Sequence, residues 1–520
     1  MKTPSKTLFI ISTLVVLMIL LVHMESLLAV FRPGNDIWDH IRTHLLLSYT
    51  LNTIAVVALS MLFGGILGTG VAYLVSCFEF PFRRLLSILL YLPLAIPPYI
   101  MAYVYMNVLG PFGFIHNTFG VRIVMPPLWQ AVLVFSLSLF PYVYIGVRGF
   151  IHNSMTSHIE NARLLKQGEF KIFFGVILPI AKTAILTGMV LVGLEVLGDF
   201  PVLHYLGVNT FATAIFRSWM VFRDFDSALR LSGFAIMSVF AMLMLRALIM
   251  RFQFPSSTTA KAFQIKRKTL KGTALILPML APSLVVLFSL VVPLSRLITW
   301  AFMSFKTIRY EDMLEMIFNS IFVTVIATSV ILILAFLMAT YTRTSSKFVA
   351  AIYGKITLIS YALPGAVVAM VTLFFFIRID QFVPFALTTS LVMLIIGYVI
   401  RFLGLAYEQM EDGYKKIGAK HHEASRTLGH GYFKTIFLID LPILKPFILS
   451  AIALIFIDVV RELPVTLILR PFNFHTLATQ VYQYASDERL PEVGVPSLII
   501  IGISMVFILL LMNRRNSGMR

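Results

Sequence analysis

The sequence predicts an all-α polytopic membrane protein with about twelve transmembrane helices in two tandem six-helix halves. Three observations predict it. The chain is 59% hydrophobic and 13% charged over 520 residues, whereas a soluble domain is nearer half apolar and a quarter charged. Apolar runs of about 20 residues, enough for a helix to cross the hydrocarbon core, recur along its length. And a polar fragment, "ENARLLKQGEFKIFFGVILP" at 160–179, returns as "EASRTLGHGYFKTIFLIDLP" at 423–442, an offset of 263 residues.

In chain order, the apolar runs put spans near 8–30, 46–76, 85–107, 127–147, 183–203, 229–250, 273–295, 317–341, 351–377, 384–406, 443–463 and 495–513. The first has the basic and apolar regions of a signal peptide without a small-residue cleavage site behind them, and reads as a signal anchor. Twelve spans leave both termini on one side. By count, 29 of the 42 Lys and Arg fall on that side, with 8 of the 24 acidic residues. Basic loops stay in the cytoplasm, so both termini are expected there. Topology thus accounts for the net charge of +18; the partner it implies is the lipid bilayer, and nucleic acid drops out. The single Cys77 excludes an internal disulfide framework and a multi-cysteine metal site, and reads as a small buried hydrophobe.

The repeat extends beyond the polar fragment. The same offset maps Arg163 to Arg426, Glu195 to Asp458, Asp199 to Glu462 and Pro201 to Pro464, and a slightly larger one pairs "TFATAIF" (210–216) with "TLATQVY" (476–482). Six spans per half is an even number, so both copies enter the membrane in the same sense, as a parallel repeat. The expected organisation is a first half at 1–250, a cytoplasmic linker at 251–272 and a second half at 273–520. The linker is rich in Ser, Thr and Lys and has no apolar period, as suits a connector.

Both polar fragments are expected to face the cytoplasm. In the second, Ala424 to Leu428 reads as a short helix stopped by Gly429 in a left-handed conformation, followed by a helix leading back to the membrane. An exposed short helix beside aromatic residues suits the groove of another protein. In the first copy Lys166 stands where the second has Gly429, and Gly168 comes two residues late, which leaves the turn there unassigned.

The pattern Glu423, Ala424, Ser425, then Gly429, then Ile439, Leu441 and Pro442 resembles the cytoplasmic loop of ABC importer permeases. The resemblance implies the type I importer permease fold and a coupling helix that docks on an ATPase subunit. Its residues would be Glu423, Ala424, Arg426, Gly429, Leu441 and Pro442 in the second half, with Glu160, Ala162, Arg163, Leu178 and Pro179 in the first. The chain carries no GxxxxGK[ST] phosphate loop, so it is not expected to be an enzyme or to hold a cofactor. ATP hydrolysis is expected in two separate ABC ATPase subunits on the cytoplasmic side.

Ionisable residues inside spans are costly and mark function or pairing. Glu195 and Asp199, and their counterparts Asp458 and Glu462, are spaced i, i+4, which sets each pair on one helical face. Counting from Pro179 and Pro442 sets them in the outer half of the bilayer, where pseudo-symmetry brings the two faces together. Two uses stay open. Hard carboxylate oxygens suit contact with, or guidance of, a highly charged cation; alternatively the acids are structural or form a gate, with Asp458 and Glu462 paired to Arg461 or Arg470. Stable metal ligation is not expected, since a transporter must release its cargo.

The stretches 461–488 and 195–219 resemble ferric iron importer permeases, with Phe200 and Pro201 where such proteins often have Tyr and Gly. That likeness runs over essentially the whole chain. It implies a bacterial inner-membrane protein importing Fe(III) delivered by a substrate-binding protein, received on the outer side by segments 201–228 and 464–494. The alternatives are thiamine, a phosphonate or another small solute through the same fold, or, from another class, an ion-coupled secondary transporter. His421 and His422 read as solvated surface, and "GGILGTG" (64–70) as close helix packing rather than a phosphate cradle.

Overall fold

The computed structural model describes residues 6–111, 113–251, 267–384, 386–388, 390–417, 424–425 and 427–517. Among them, nine helices are long and apolar enough to cross a membrane, from Lys6–Ala29 to Leu490–Met512. Three further pairs of helices pass the same test together but are bent, which brings the number of crossings to as many as twelve.

Two of the three bent pairs correct spans expected to be continuous. The run expected at 85–107 is interrupted at Ile96 and Pro97, and the one at 351–377 at Leu363 and Pro364, where helices Lys347–Ala362 and Gly365–Ile379 meet at 109°. A residue before proline is steered away from the helical region, and both Ile96 (ψ 109°) and Leu363 (ψ 147°) are extended. Pro97 and Pro364 then adopt nearly the same angles (φ −54°, ψ 139° and φ −56°, ψ 138°) and cap the following helix. The third pair, Glu169–Ile180 and Lys182–Gly198, meets at 71° ahead of the span expected at 183–203.

The duplication is visible in single backbone features. A π-helical turn at Phe173–Ile177 has its copy at Ile436–Asp440, each just ahead of Pro179 or Pro442. A proline ring clashes with the carbonyl four residues back, and the wider π turn moves that carbonyl aside. Thr210 and Thr213 form a capping box at the start of Phe211–Met220, and Thr476 and Thr479 repeat it at Leu477–Ser486. Each of these helices is tied to a long helix of its own half: Phe211 N–H donates to Thr53 and Leu477 N–H to Ser320.

The buried core lies where the long helices of each half cross. Gly68 sits against the helix Pro127–Ser154 so closely that a Cβ would lie 2.7 Å from the Phe140 carbonyl oxygen. The 64–70 motif is therefore a packing surface, as its composition predicts. Cys77 is buried at the end of Gly68's own helix, Leu46–Cys77. The strand content among the described residues is a two-residue parallel ladder, Phe78–Glu79 with Lys268–Thr269, which ties the end of the connecting segment to the first half.

Gly68 and Gly70 give a paired test of this packing. Gly68→Val meets backbone atoms and is expected to cost about 2 kcal/mol. Gly70→Ala meets nothing within 4 Å and should stay within about 1 kcal/mol of the parent. Thermal unfolding in detergent distinguishes the two.

Candidate functional site

A chamber of about 110 Å³ lies where the two halves meet, and Glu195, Asp199, Asp458 and Glu462 all line it. Arg401 and Arg461 line it too, so four formal negative charges face two positive ones. Tyr99, Tyr142 and Tyr361 complete its polar wall.

The expectation that each acidic pair shares one helical face is corrected. The first helix stops at Gly198 and the second at Val460, because Pro201 and Pro464 cannot continue a helix whose carbonyls lie four residues back. Glu195 and Asp458 remain on the long helices. Asp199 and Glu462 instead head the short helices Phe200–Tyr205 and Pro464–Leu469, accepting the Val202 N–H at 2.8 Å and the Val465 N–H at 3.0 Å. A carboxylate at a helix start satisfies a backbone donor that has no intrahelical acceptor.

The arginines repair the broken crossings. Arg461 donates to the Leu94 carbonyl of the first half at 2.8 Å and pairs with Asp458. Arg401 donates to the Leu363 carbonyl at 2.8 Å and lies 3.4 Å from Glu462. Gly365 makes room for that pair, since a Cβ there would sit 2.9 Å from a Glu462 carboxylate oxygen. Tyr142 donates to Glu195 at 3.1 Å. Arg470, a candidate partner from the sequence, bonds Thr479 and the Phe474 carbonyl instead. Among the described residues no three His, Cys, Asp or Glu side chains cluster as metal ligands.

Sequence reasoning missed Arg401, grouping it with the loop cations. It sits within the helix Leu391–Ile417, and its signal was available: a lone cation in an apolar run is a functional or paired residue. The tyrosines had no comparable signal.

The two polar fragments form matching turns. The helix Thr156–Leu164 carries Glu160, Ala162 and Arg163, and Lys166 then adopts φ +55°. In the second half Ala424 and Ser425 are helical and Gly429 adopts φ +84°. Glu423 and Arg426 lie outside the described residues. Gln167 N–H donates to the Ala162 carbonyl as His430 N–H does to Ser425, the bond that closes a helix around a left-handed residue. The first turn, unassigned from sequence, therefore keeps the geometry with a lysine in the glycine position.

Leu178 and Pro179, and Leu441 and Pro442, begin the helical segments that follow the π turns. Leu164, Leu165 and Phe170 at the first turn, and Leu428 and Phe437 at the second, are exposed apolar side chains. Behind the first turn, Glu169 accepts from Tyr73 at 2.9 Å and pairs with Arg163 at 3.3 Å and Lys268 at 3.1 Å. Behind the second, Ser425 and Thr435 share a hydrogen bond of 3.1 Å and Arg343 pairs with Asp440 at 3.0 Å.

Residues 61–254 and 331–514 each match the family described as binding-protein-dependent transport system inner membrane component. The chain belongs to this family. It is similar to the Fe(3+)-transport system permease protein FbpB 2 of Haemophilus influenzae, 23% identical over 452 residues that cover 86% of this chain and 85% of that protein. The molybdenum transport system permease protein ModB of Escherichia coli is 30% identical over 155 residues, 29% of this chain and 67% of its own. The sulfate transport system permease protein CysT of Salmonella typhimurium is 24% identical over 223 residues, 41% of this chain and 80% of its own. The protein is thus the permease component of an ABC importer, a multi-pass inner-membrane protein. Membership implies a substrate-binding protein and ATPase subunits as partners.

Removing one member of the pair at the seam should be costly. Arg461→Ala leaves Asp458 uncompensated and the Leu94 carbonyl without its donor, an expected loss of about 3 kcal/mol. Adding Asp458→Asn should recover part of it, as read by denaturation of the detergent-solubilised protein.

Proposed function

We propose that this permease imports ferric iron. The observation that carries the reading is the composition of the chamber: four carboxylates face two guanidinium groups. Molybdate or sulfate would be repelled by such a surface, whereas hard carboxylate oxygens suit a trivalent cation. The similarity to an Fe(3+) permease extends across both halves; the ModB match covers 29% of the chain.

In this reading residues 1–250 and 273–520 are two permease halves joined by the linker 251–272, with both termini in the cytoplasm. Each polar turn receives one ATPase subunit on the cytoplasmic side, so one polypeptide serves two motors. Glu160, Ala162, Arg163, Leu178 and Pro179 build the first coupling turn, and Glu423, Ala424, Arg426, Gly429, Leu441 and Pro442 the second. The exposed apolar side chains beside these turns supply the surface that a motor subunit would cover. Segments 201–228 and 464–494 receive the loaded binding protein outside. ATP binding draws the turns together and rotates the halves, opening the chamber to the binding protein; hydrolysis resets it. Glu195, Asp199, Asp458 and Glu462 guide the cation, while Arg401 and Arg461 hold the acids when it is absent.

The test is uptake by vesicles reconstituted with both partners. Labelled ferric iron should enter in an ATP-dependent manner, and labelled molybdate and sulfate should not. Glu195→Gln with Asp458→Asn should cut iron uptake at least about tenfold, the factor carried by about 1.4 kcal/mol of lost stabilisation. Gly429→Val, strained at φ +84°, should lower uptake per ATP hydrolysed. Iron uptake equal to the parent in the carboxylate variant, or transport of an oxyanion instead, overturns the ferric reading.

A further inference from the structure

Every acid of the chamber has a protein partner, but two hydroxyls beside it do not. Tyr99 and Tyr103 are four residues apart on the helix Pro98–Leu109, so their rings lie on one face about one turn apart. Both are buried, and neither phenol oxygen has a hydrogen-bond partner among the described residues. A buried hydroxyl without a partner is destabilising, and phenylalanine would fill the same space without that cost. Tyr105, on the same helix, differs: its hydroxyl donates to the Phe288 carbonyl of the second half.

The rings that carry these hydroxyls lie in a row of tyrosines between two cavities. Tyr99 lines the chamber beside Asp199 and Glu462. The ring of Tyr103 lies 6.0 Å from that of Tyr99 and 4.6 Å from that of Tyr205. Tyr205 in turn lines a wider cavity of about 640 Å³, together with His204, Asn107 and Glu488. His204 meets Tyr482 of the other half at 3.3 Å, so this vestibule also spans the seam. Tyr103 is fully buried and bridges the tyrosine of the vestibule to the tyrosine of the chamber.

A phenol offers a hard oxygen lone pair without a fixed charge. It can replace one water of a hydrated cation, yet it does not hold the ion as a carboxylate does, which is what a passage needs. Acids stand at both ends of the column, Glu488 in the vestibule and Asp199 with Glu462 in the chamber, so an oxyanion would be repelled at either.

We propose that Tyr205, Tyr103 and Tyr99 form an oxygen-donor track along which a hard trivalent cation exchanges hydration water for phenol oxygens on its way from the His204–Glu488 vestibule to the Asp199–Glu462 chamber. The proposal rests on the ferric reading above. Tyr103 closes the track at rest, and rotation of the halves frees its hydroxyl toward the ion.

The test compares Tyr99→Phe with Tyr103→Phe, singly and together, against Tyr105→Phe. Each change removes one oxygen and keeps the ring. The double Tyr99/Tyr103 variant should unfold at or above the parent's midpoint in detergent, because it deletes two unpartnered polar groups. Tyr105→Phe should unfold lower. In reconstituted vesicles the double variant should take up labelled ferric iron about tenfold more slowly, the factor of one hydrogen-bond-sized interaction. Parent-like iron uptake by the double variant overturns the track and leaves the ferric reading intact. A fall in its midpoint also overturns the track, since the hydroxyls would then be structural. If the parent vesicles carry molybdate or sulfate and no iron, both readings fail together.

Discussion

A backbone polar group released inside a membrane has no water to turn to, and must find a protein partner. The crossings of this permease are interrupted at Pro97, Pro201, Pro364 and Pro464, and charged side chains answer each interruption. Guanidinium groups take the Leu94 and Leu363 carbonyls, and carboxylates take the Val202 and Val465 N–H groups. Four of the six charges that line the chamber are therefore the same groups that repair the breaks. Glu195 and Asp458 repair no break and are held instead by Tyr142 and Arg461, since an unpaired charge within a span is costly.

The duplication explains why the chamber forms at the seam. Two copies of one design bring two interrupted crossings each, and Arg461 of the second half reaches the Leu94 carbonyl of the first. The copies agree in their π turns, capping boxes and left-handed turn residues. They differ where only one half meets the connecting segment. Glu169 binds Lys268 of that segment, whereas the second turn is braced within its own half by Ser425 and Thr435. Lys166 holds a left-handed backbone where its counterpart is glycine. The surrounding bonds, including Gln167 to Ala162, over-determine that conformation and make the less suited residue tolerable.

Hydropathy and self-similarity run along the chain, so the two halves, the crossings and the four acids were legible in the sequence. What lay across the chain was not. The spans near 85–107 and 351–377 read as single helices because an apolar run stays apolar through a bend; the prolines were visible, but not what would satisfy the freed carbonyls. Asp199 and Glu462 read as helical neighbours of Glu195 and Asp458 because the i, i+4 rule presumes a continuous helix, and Pro201 and Pro464 end it. Arg401 lay at the edge of an apolar run and was counted with the loops. The bond from Arg461 to Leu94 joins residues 367 apart, a separation that no periodicity reports.

The partnering of the acids bears on how a conduit differs from a storage site. Glu195 has Tyr142, Asp199 has the Val202 N–H, Asp458 has Arg461, and Glu462 has Arg401 and the Val465 N–H. In the proposed ferric reading, a cation that enters the chamber would not fill vacant ligands; it would exchange with partners already present. The gain from each new contact is offset by a hydrogen bond or ion pair given up, so no step is deeply favourable and the ion can leave. The exchange is also tied to the position of the halves, because Arg461 belongs to one half and the carbonyl that anchors it to the other. Moving the halves apart would break that anchor, while Asp458 and Arg461, three residues apart in one half, stay paired. In the proposed coupling, a motion driven from the polar turns would reach the chamber through this bond between halves, without any new residue entering it, which is the least that a pump built from two copies of one fold requires.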